Sequence, residues 1–200
     1  MGAKVCKLYH PPISSHDVNF LVKHTKYPPA TIRTWYSNFR KYCPNGKMTT
    51  DQFLSAYKFL FPEQFNYAIS EQKCKKFVQL IYQAFDQDNS GSLEFREFLL
   101  FLNVLSNGTL EEKLEAAFSI IDQDSNGSIS EVELFKVIKA MVTMHSGTAK
   151  GAASATHIIL QKLDKDLDGK ISKIEFLQGC TNDAALYSLL VENKAMDMII

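Results

Sequence analysis

The sequence predicts an all-α protein built from four helix–loop–helix units in two paired lobes, with short β pairings between the loops. Three observations predict it. A twelve-residue pattern recurs along the chain, helical hydrophobic stripes flank each copy, and every copy carries an aliphatic residue at its eighth place. "DQDNSGSLEFRE" (86–97), "DQDSNGSISEVE" (122–133) and "DKDLDGKISKIE" (164–175) are the complete copies. Each has acids at places one and three, Ser, Asn or Asp at five, glycine at six and glutamate at twelve.

The first unit has the frame without the acids. "KYCPNGKMTTDQ" (41–52) keeps Gly46 and Met48, but Lys41 opens it and Gln52 closes it. Before it stand Ile32, Trp35, Tyr36 and Phe39, and after it Phe53, Leu54, Tyr57 and Leu60, both at helical spacing. In the second unit Phe77, Ile81 and Phe85 precede the loop, and Phe95, Phe98, Leu99 and Leu102 follow it. "SNGTLEEK" (106–113) is the turn between lobes: Asn107-Gly108 breaks the helix, and Thr109 starts the next with Glu112 at the capping-box place. The third unit runs from Leu114, Ala117, Phe118 and Ile121 to Leu134, Val137, Ile138 and Met141. "HSGTAKGAAS" (145–154) reads as a flexible connector to the fourth unit. The expected organisation is an N-terminal arm (1–20), a first pair of units (21–106), a second pair (107–182) and a C-terminal tail (183–200).

The complete loops have the chemistry of calcium ligation. Calcium is a hard cation that takes six to eight oxygens at about 2.3–2.6 Å, and a twelve-residue loop supplies them from alternate places. Glycine at place six makes the sharp turn cheaply. The candidate ligands are Asp86, Asp88, Ser90, Ser92, Glu94 and Glu97 in the second unit. In the third they are Asp122, Asp124, Asn126, Ser128, Ser130 and Glu133. In the fourth they are Asp164, Asp166, Asp168, Lys170 through its carbonyl, Ser172 and Glu175. A single acidic turn between helices would be unremarkable, whereas three in register form a metal-binding repeat with three Ca2+ sites, for which Mg2+ competes. The first loop should not bind calcium, because Lys41 puts a cation where the first carboxylate belongs and Gln52 offers no charged bidentate group. It would persist as the pairing partner of the second, through Met48 and Leu93, as Ile129 and Ile171 pair in the other lobe. Counting acids at ligand places, the second and fourth loops hold four each and the third three, so charge predicts the third to be weakest.

Bulk properties narrow the alternatives. Basic and acidic residues balance at 22 each, which argues against a nucleic-acid partner. Cys6, Cys43, Cys74 and Cys180 lack paired spacing and read as reduced thiols, and the five histidines show no zinc spacing. The start lacks the apolar stretch of a secretory signal, and no apolar run reaches the roughly 18 residues of a membrane span, so a cytoplasmic protein is expected. No nucleophile elbow or phosphate-binding glycine loop is present, so the chain is not expected to be an enzyme.

Several stretches together resemble the neuronal calcium sensor family of EF-hand proteins, which includes recoverin-like, visinin-like and frequenin-like members, guanylate cyclase activators and potassium-channel interacting proteins. The matching residues are Met1-Gly2, Trp35-Tyr36 before "FRKYCPNGKMT", "FLFPE" (59–63) and "FLQGCTND" (176–183), and the likeness spans residues 20–190. It departs at Gln52, where an acid usually closes the silent loop, and at Cys6, where the myristoylation pattern has Ser or Thr. The resemblance implies a regulatory calcium sensor, with Gly2 as a candidate myristoylation site and reversible membrane contact through it. It also implies an apolar groove uncovered by calcium, which takes an amphipathic helix of a membrane effector such as a channel, a guanylate cyclase or a receptor kinase.

Fourteen phenylalanines against one tryptophan supply more aromatic surface than closed units need. Phe77, Phe85 and Phe98 read as core; Trp35, Phe39, Phe53 and Tyr57, beside the silent loop, are the expected groove residues. The tail, with Leu186, Leu189 and Leu190 on one face, would either fill that groove or cap the second lobe. Two other readings compete: a calcium buffer, which needs no apolar groove, and a regulatory subunit of the calcineurin-B type, which keeps its first loop functional.

Overall fold

The computed structural model describes residues 11–60, 62 and 70–192. Gly2, Cys6, Phe61 and Glu63 of "FLFPE", and residues 193–200 lie outside these. The described residues form ten α-helices and two small antiparallel sheets, with no cis peptide bond.

Helix α1 (Ser15–Thr25) starts at Ser14, whose hydroxyl oxygen accepts from the Asp17 amide at 3.0 Å. It buries Val18 and Leu21 against α2 (Pro29–Tyr42) and α5 (Phe95–Asn107). The helix therefore crosses residue 20, where the arm was expected to end, because its apolar face belongs to the first lobe's core. After α2 come β1 (Lys47–Met48) and α3 (Thr50–Leu60), then α4 (Glu71–Phe85) and β2 (Leu93–Glu94) leading into α5. Strands β1 and β2 pair Met48 with Leu93, which joins the first two units.

The second lobe repeats the plan with α6 (Leu110–Ile121), β3 (Ser128–Ser130), α7 (Glu131–Ser146), α8 (Ala152–Leu163), β4 (Lys170–Ser172) and α9 (Lys173–Asn182). Here Ile129 faces Ile171 in a pairing three residues long. Thr109 caps α6 with Glu112 in the expected reciprocal arrangement. The connector after α7 is shorter than expected. It is a five-residue turn, 147–151, between Gly147 and Gly151 in left-handed conformation, and its Gly147 carbonyl accepts from Lys73 at 2.7 Å.

Helix α4 packs on both α6 and α7, so the lobes share one core. A cavity of about 250 Å³ lies at this junction, lined by Tyr57, Phe77, Phe85, Phe101, Val137 and Met141 among others. The short helix α10 (Ala184–Leu190) begins at Asp183, whose carboxylate accepts from the Ala185 and Leu186 amides. It buries Leu186, Leu189 and Leu190 beside α9, and Tyr187 and Leu190 close one side of the junction cavity. The described part of the tail thus packs on the second lobe.

Cys43, Cys74 and Cys180 are free and buried. Burial pushes all three thiols up, that of Cys180 to about 12, with the Asp183 charge adding to the effect there. A raised thiol pKa leaves little thiolate at pH 8. Alkylation of the native protein at that pH is therefore expected to spare these three sites, and all three should react in urea. Peptide mass spectrometry reads the difference, and prompt labelling of Cys180 in the native protein would contradict it.

Candidate metal centres

Each acidic loop starts where a helix ends. Asp86, Asp122 and Asp164 are the C-caps of α4, α6 and α8, and all three are buried. Their carboxylates fold the loop over themselves. Asp86 accepts from the Ser90 and Gly91 amides at 2.9 and 2.8 Å, and Asp122 accepts from Asn126 and Gly127 at 3.1 and 3.0 Å. Asp164 Oδ2 accepts from Gly169 at 3.0 Å, while its Oδ1 is buried without a hydrogen-bond partner. A buried carboxylate oxygen left so is costly. A cation is the partner it fits.

The third place adds Asp88, Asp124 and Asp166, each accepting from the amide two residues on. At the fifth place Ser90 donates to the Ser92 carbonyl, and Asn126 and Asp168 accept from the Ser128 and Lys170 amides. At the twelfth place one glutamate oxygen accepts from the second residue's amide and the other from the ninth's. The distances are 2.9 and 2.9 Å for Glu97, 3.0 and 2.9 Å for Glu133, and 2.8 and 2.8 Å for Glu175. Ser130 and Ser172, the expected ninth-place ligands, also hydrogen-bond these glutamates and cap α7 and α9. Glu94 at the same place is exposed.

The result is three carboxylate groups whose oxygens lie within 4.8 Å of one another: Asp86, Asp88 and Glu97; Asp122, Asp124 and Glu133; Asp164, Asp166 and Asp168. Glu175 is not gathered into the third group, where Asp168 stands instead, and its carboxylate accepts from Ser172 and Lys165. Those hydrogen bonds hold its pKa down to about 2, so it is ionised at neutral pH. Glu97 sits in the opposite environment, where burial raises its pKa.

One feature of the loops was not anticipated from sequence. Their fourth residues, Asn89, Ser125 and Leu167, have φ of 53°, 56° and 62°, the left-handed region. The fourth residue of the silent loop is Pro44, whose ring locks φ near −65° and forbids that conformation. The silent loop therefore lacks the backbone path as well as the ligands.

That loop is held by protein groups instead. Lys41 turns aside to Asn38 at 3.0 Å. Gln52 Oε1 accepts from the Thr49 amide at 2.9 Å, as the glutamates do from their ninth residues, and its Nε2 donates to the Tyr42 carbonyl at 2.8 Å. A carboxylate cannot make this second bond. Gln52→Glu is expected to destabilise the calcium-free protein by about 1 kcal/mol and to create no fourth site, because Lys41 and Pro44 remain. Urea denaturation and calcium stoichiometry by calorimetry check the two halves.

Comparison with known proteins agrees with this geometry. Residues 44–105 and residues 111–181 each match a family model of an EF-hand domain pair. The chain is 29% identical to S-modulin of Aquarana catesbeiana over 186 residues, covering 89% of this chain and 88% of that protein. It is 28% identical to recoverin of Homo sapiens over 189 residues, 89% of either chain. With neuronal calcium sensor 1 of Lymnaea stagnalis it shares 32% identity over 196 residues, 95% of this chain and 96% of the relative. The chain belongs to the neuronal calcium sensor family. Like that family it is a calcium protein and not an enzyme, with calcium as the cofactor of its three acidic EF-hand loops.

The aromatic residues expected to line a groove are divided between two places. An open apolar cavity of about 710 Å³ lies between the silent hand and α5, lined by Trp35, Phe39, Tyr42, Met48, Phe59 and Phe98 among others. Phe53 and Tyr57 are not on this wall. Phe53 is fully buried, packed edge-on against Tyr82 and Phe101, and Tyr57 faces the junction cavity. Trp35 and Phe39 project from α2 and line the open side, whereas Phe53 and Tyr57 lie on the α3 face that meets α4 and α5. Phe98, expected in the core, is half-buried on the cavity wall.

Proposed function

We propose that this protein is a calcium sensor whose open apolar cavity takes an amphipathic helix of a membrane-associated effector. The observation that carries the reading is the composition of the cavity rim. Of the eight large apolar side chains most exposed among the described residues, Trp35, Tyr42, Phe59 and Leu60 all border this one cavity. An exposed apolar patch of this kind marks an interaction site, and a trough between helices suits a partner helix read through its apolar face.

Calcium enters through the three loops. The ligands we assign are Asp86, Asp88, Ser90, Ser92, Glu94 and Glu97; Asp122, Asp124, Asn126, Ser128, Ser130 and Glu133; and Asp164, Asp166, Asp168, Lys170, Ser172 and Glu175, with Ser92, Ser128 and Lys170 acting through their carbonyls. Bound calcium supplies positive charge that draws these oxygens together. The glutamate at each twelfth place lies in the first turn of a helix, so a change in its direction turns α5, α7 or α9. Because α5 forms one wall of the apolar cavity, the second loop is the one placed to act on it. Among the described residues no helix is long and apolar enough to cross a membrane. Membrane contact would come from myristoylation at Gly2, reversible because one acyl chain anchors weakly, and the effector would be a channel, a guanylate cyclase or a receptor kinase.

Trp35, the sole tryptophan, makes the cavity its own reporter. Titration of an amphipathic helical peptide should shift Trp35 emission to the blue in calcium with magnesium held constant, and leave it unchanged in magnesium alone. An environment-sensitive apolar dye should brighten under the same calcium-specific condition. Calcium binding with neither change would mean a buffer rather than a sensor.

A further inference from the structure

Tyr82 lies one helical turn before the second loop and is almost fully buried, 4% exposed. Its hydroxyl accepts from the Leu93 amide at 3.1 Å and donates to the Met48 carbonyl at 2.7 Å, with the Gly91 carbonyl at 3.2 Å as a second acceptor. Gly91 and Leu93 are the two neighbours of Ser92, whose carbonyl is the seventh-place ligand. The phenol thus grips both peptides that set that carbonyl's direction, and at the same time holds the silent loop.

No other loop has this device. The residue four places before each of the other loops is Ser37, Phe118 or Leu160; Ser37 is exposed, and the other two have no hydroxyl. In the second lobe the paired strands run for three residues, whereas β1 and β2 pair over only two. Where the ladder is shorter and one partner loop has no ion to shape it, a side chain supplies the missing hydrogen bonds.

We propose that the Tyr82 hydroxyl is a positioning group for calcium at the second loop, orienting the Ser92 carbonyl and fastening it to the silent loop. This rests on the reading of 86–97 as a calcium loop. Met48, which takes the phenol's hydrogen bond, also lines the apolar cavity. The same hydroxyl therefore touches the metal loop at one end and the cavity wall at the other.

The test uses the full chain with the third and fourth loops silenced by Glu133→Gln and Glu175→Gln, so that calorimetry reads the second loop alone. Adding Tyr82→Phe should weaken calcium binding about fivefold, the size expected for one buried hydrogen bond. It should also reduce protection of the Leu93 amide from exchange in calcium-free protein. A converse background, Glu97→Gln, reports the third and fourth loops, whose affinities should not move with Tyr82→Phe. Unchanged affinity at the second loop overturns the proposal. An equal loss in both backgrounds also overturns it, since that would be general loosening. If the parent with two silenced loops binds no calcium, the reading of the second loop fails, and the inference falls with it.

Discussion

Phe53→Ala is expected to cost about 3–5 kcal/mol of folding stability, the range for emptying a fully buried aromatic site. That is a large share of the 5–15 kcal/mol typical of a folded domain. Phe53 is 0% exposed, and its ring lies 5.1 Å from Phe101, 5.6 Å from Tyr82, 6.3 Å from Tyr57 and 6.5 Å from Phe98, centroid to centroid. Truncation would leave all four without a partner on one side. Urea denaturation of the calcium-free protein measures the loss. Phe59→Ala is the matching control, because Phe59 is 85% exposed on the rim of the open cavity. It should leave stability within about 0.5 kcal/mol while weakening capture of an amphipathic peptide. If Phe53→Ala weakened peptide capture and left stability unchanged, Phe53 would be a groove residue after all.

Asp164→Asn should remove the calcium-dependent stabilisation that the fourth loop contributes, about 4 kcal/mol when free calcium exceeds that site's Kd a thousandfold. Without calcium the sign is different. The native carboxylate has one oxygen buried with no hydrogen-bond partner, and its other oxygen is bonded to the Gly169 amide. An asparagine keeps an oxygen for Gly169 and removes the uncompensated negative charge. The calcium-free protein should therefore be no less stable than the parent. Thermal melting with and without calcium separates the two effects in one experiment. A calcium-induced rise in Tm equal to the parent's would show that Asp164 is not a ligand.

The silent loop shows how much was legible and where reading stopped. Lys41 and Gln52 mark it as inactive by composition alone, since neither offers a charged oxygen. That Gln52 takes over the structural half of the glutamate's role needed geometry, because glutamine is also an ordinary surface residue. The left-handed fourth position was legible in principle. Asn89 favours it and Pro44 forbids it, yet Leu167 occupies it in the fourth loop with nothing in its chemistry to say so.

The aromatic residues mark the other boundary. The stripe of Phe53, Leu54 and Tyr57 identifies a buried face of α3 without naming what covers it. Trp35 and Phe39 on α2 have the same period, yet they line the open cavity and Trp35 is exposed. The cover of the α3 stripe comes from α4 and α5, farther along the chain. Sequence alone therefore determined the metal chemistry of this protein, because each loop's ligands sit within twelve consecutive residues and the turn between them is set by local backbone preference. The tertiary structure alone decided which aromatics are core and which line the cavity, and placed the Tyr82 hydroxyl on a carbonyl 34 residues away. Burial and long-range hydrogen bonds depend on which surfaces meet, and a hydrophobic period carries no address.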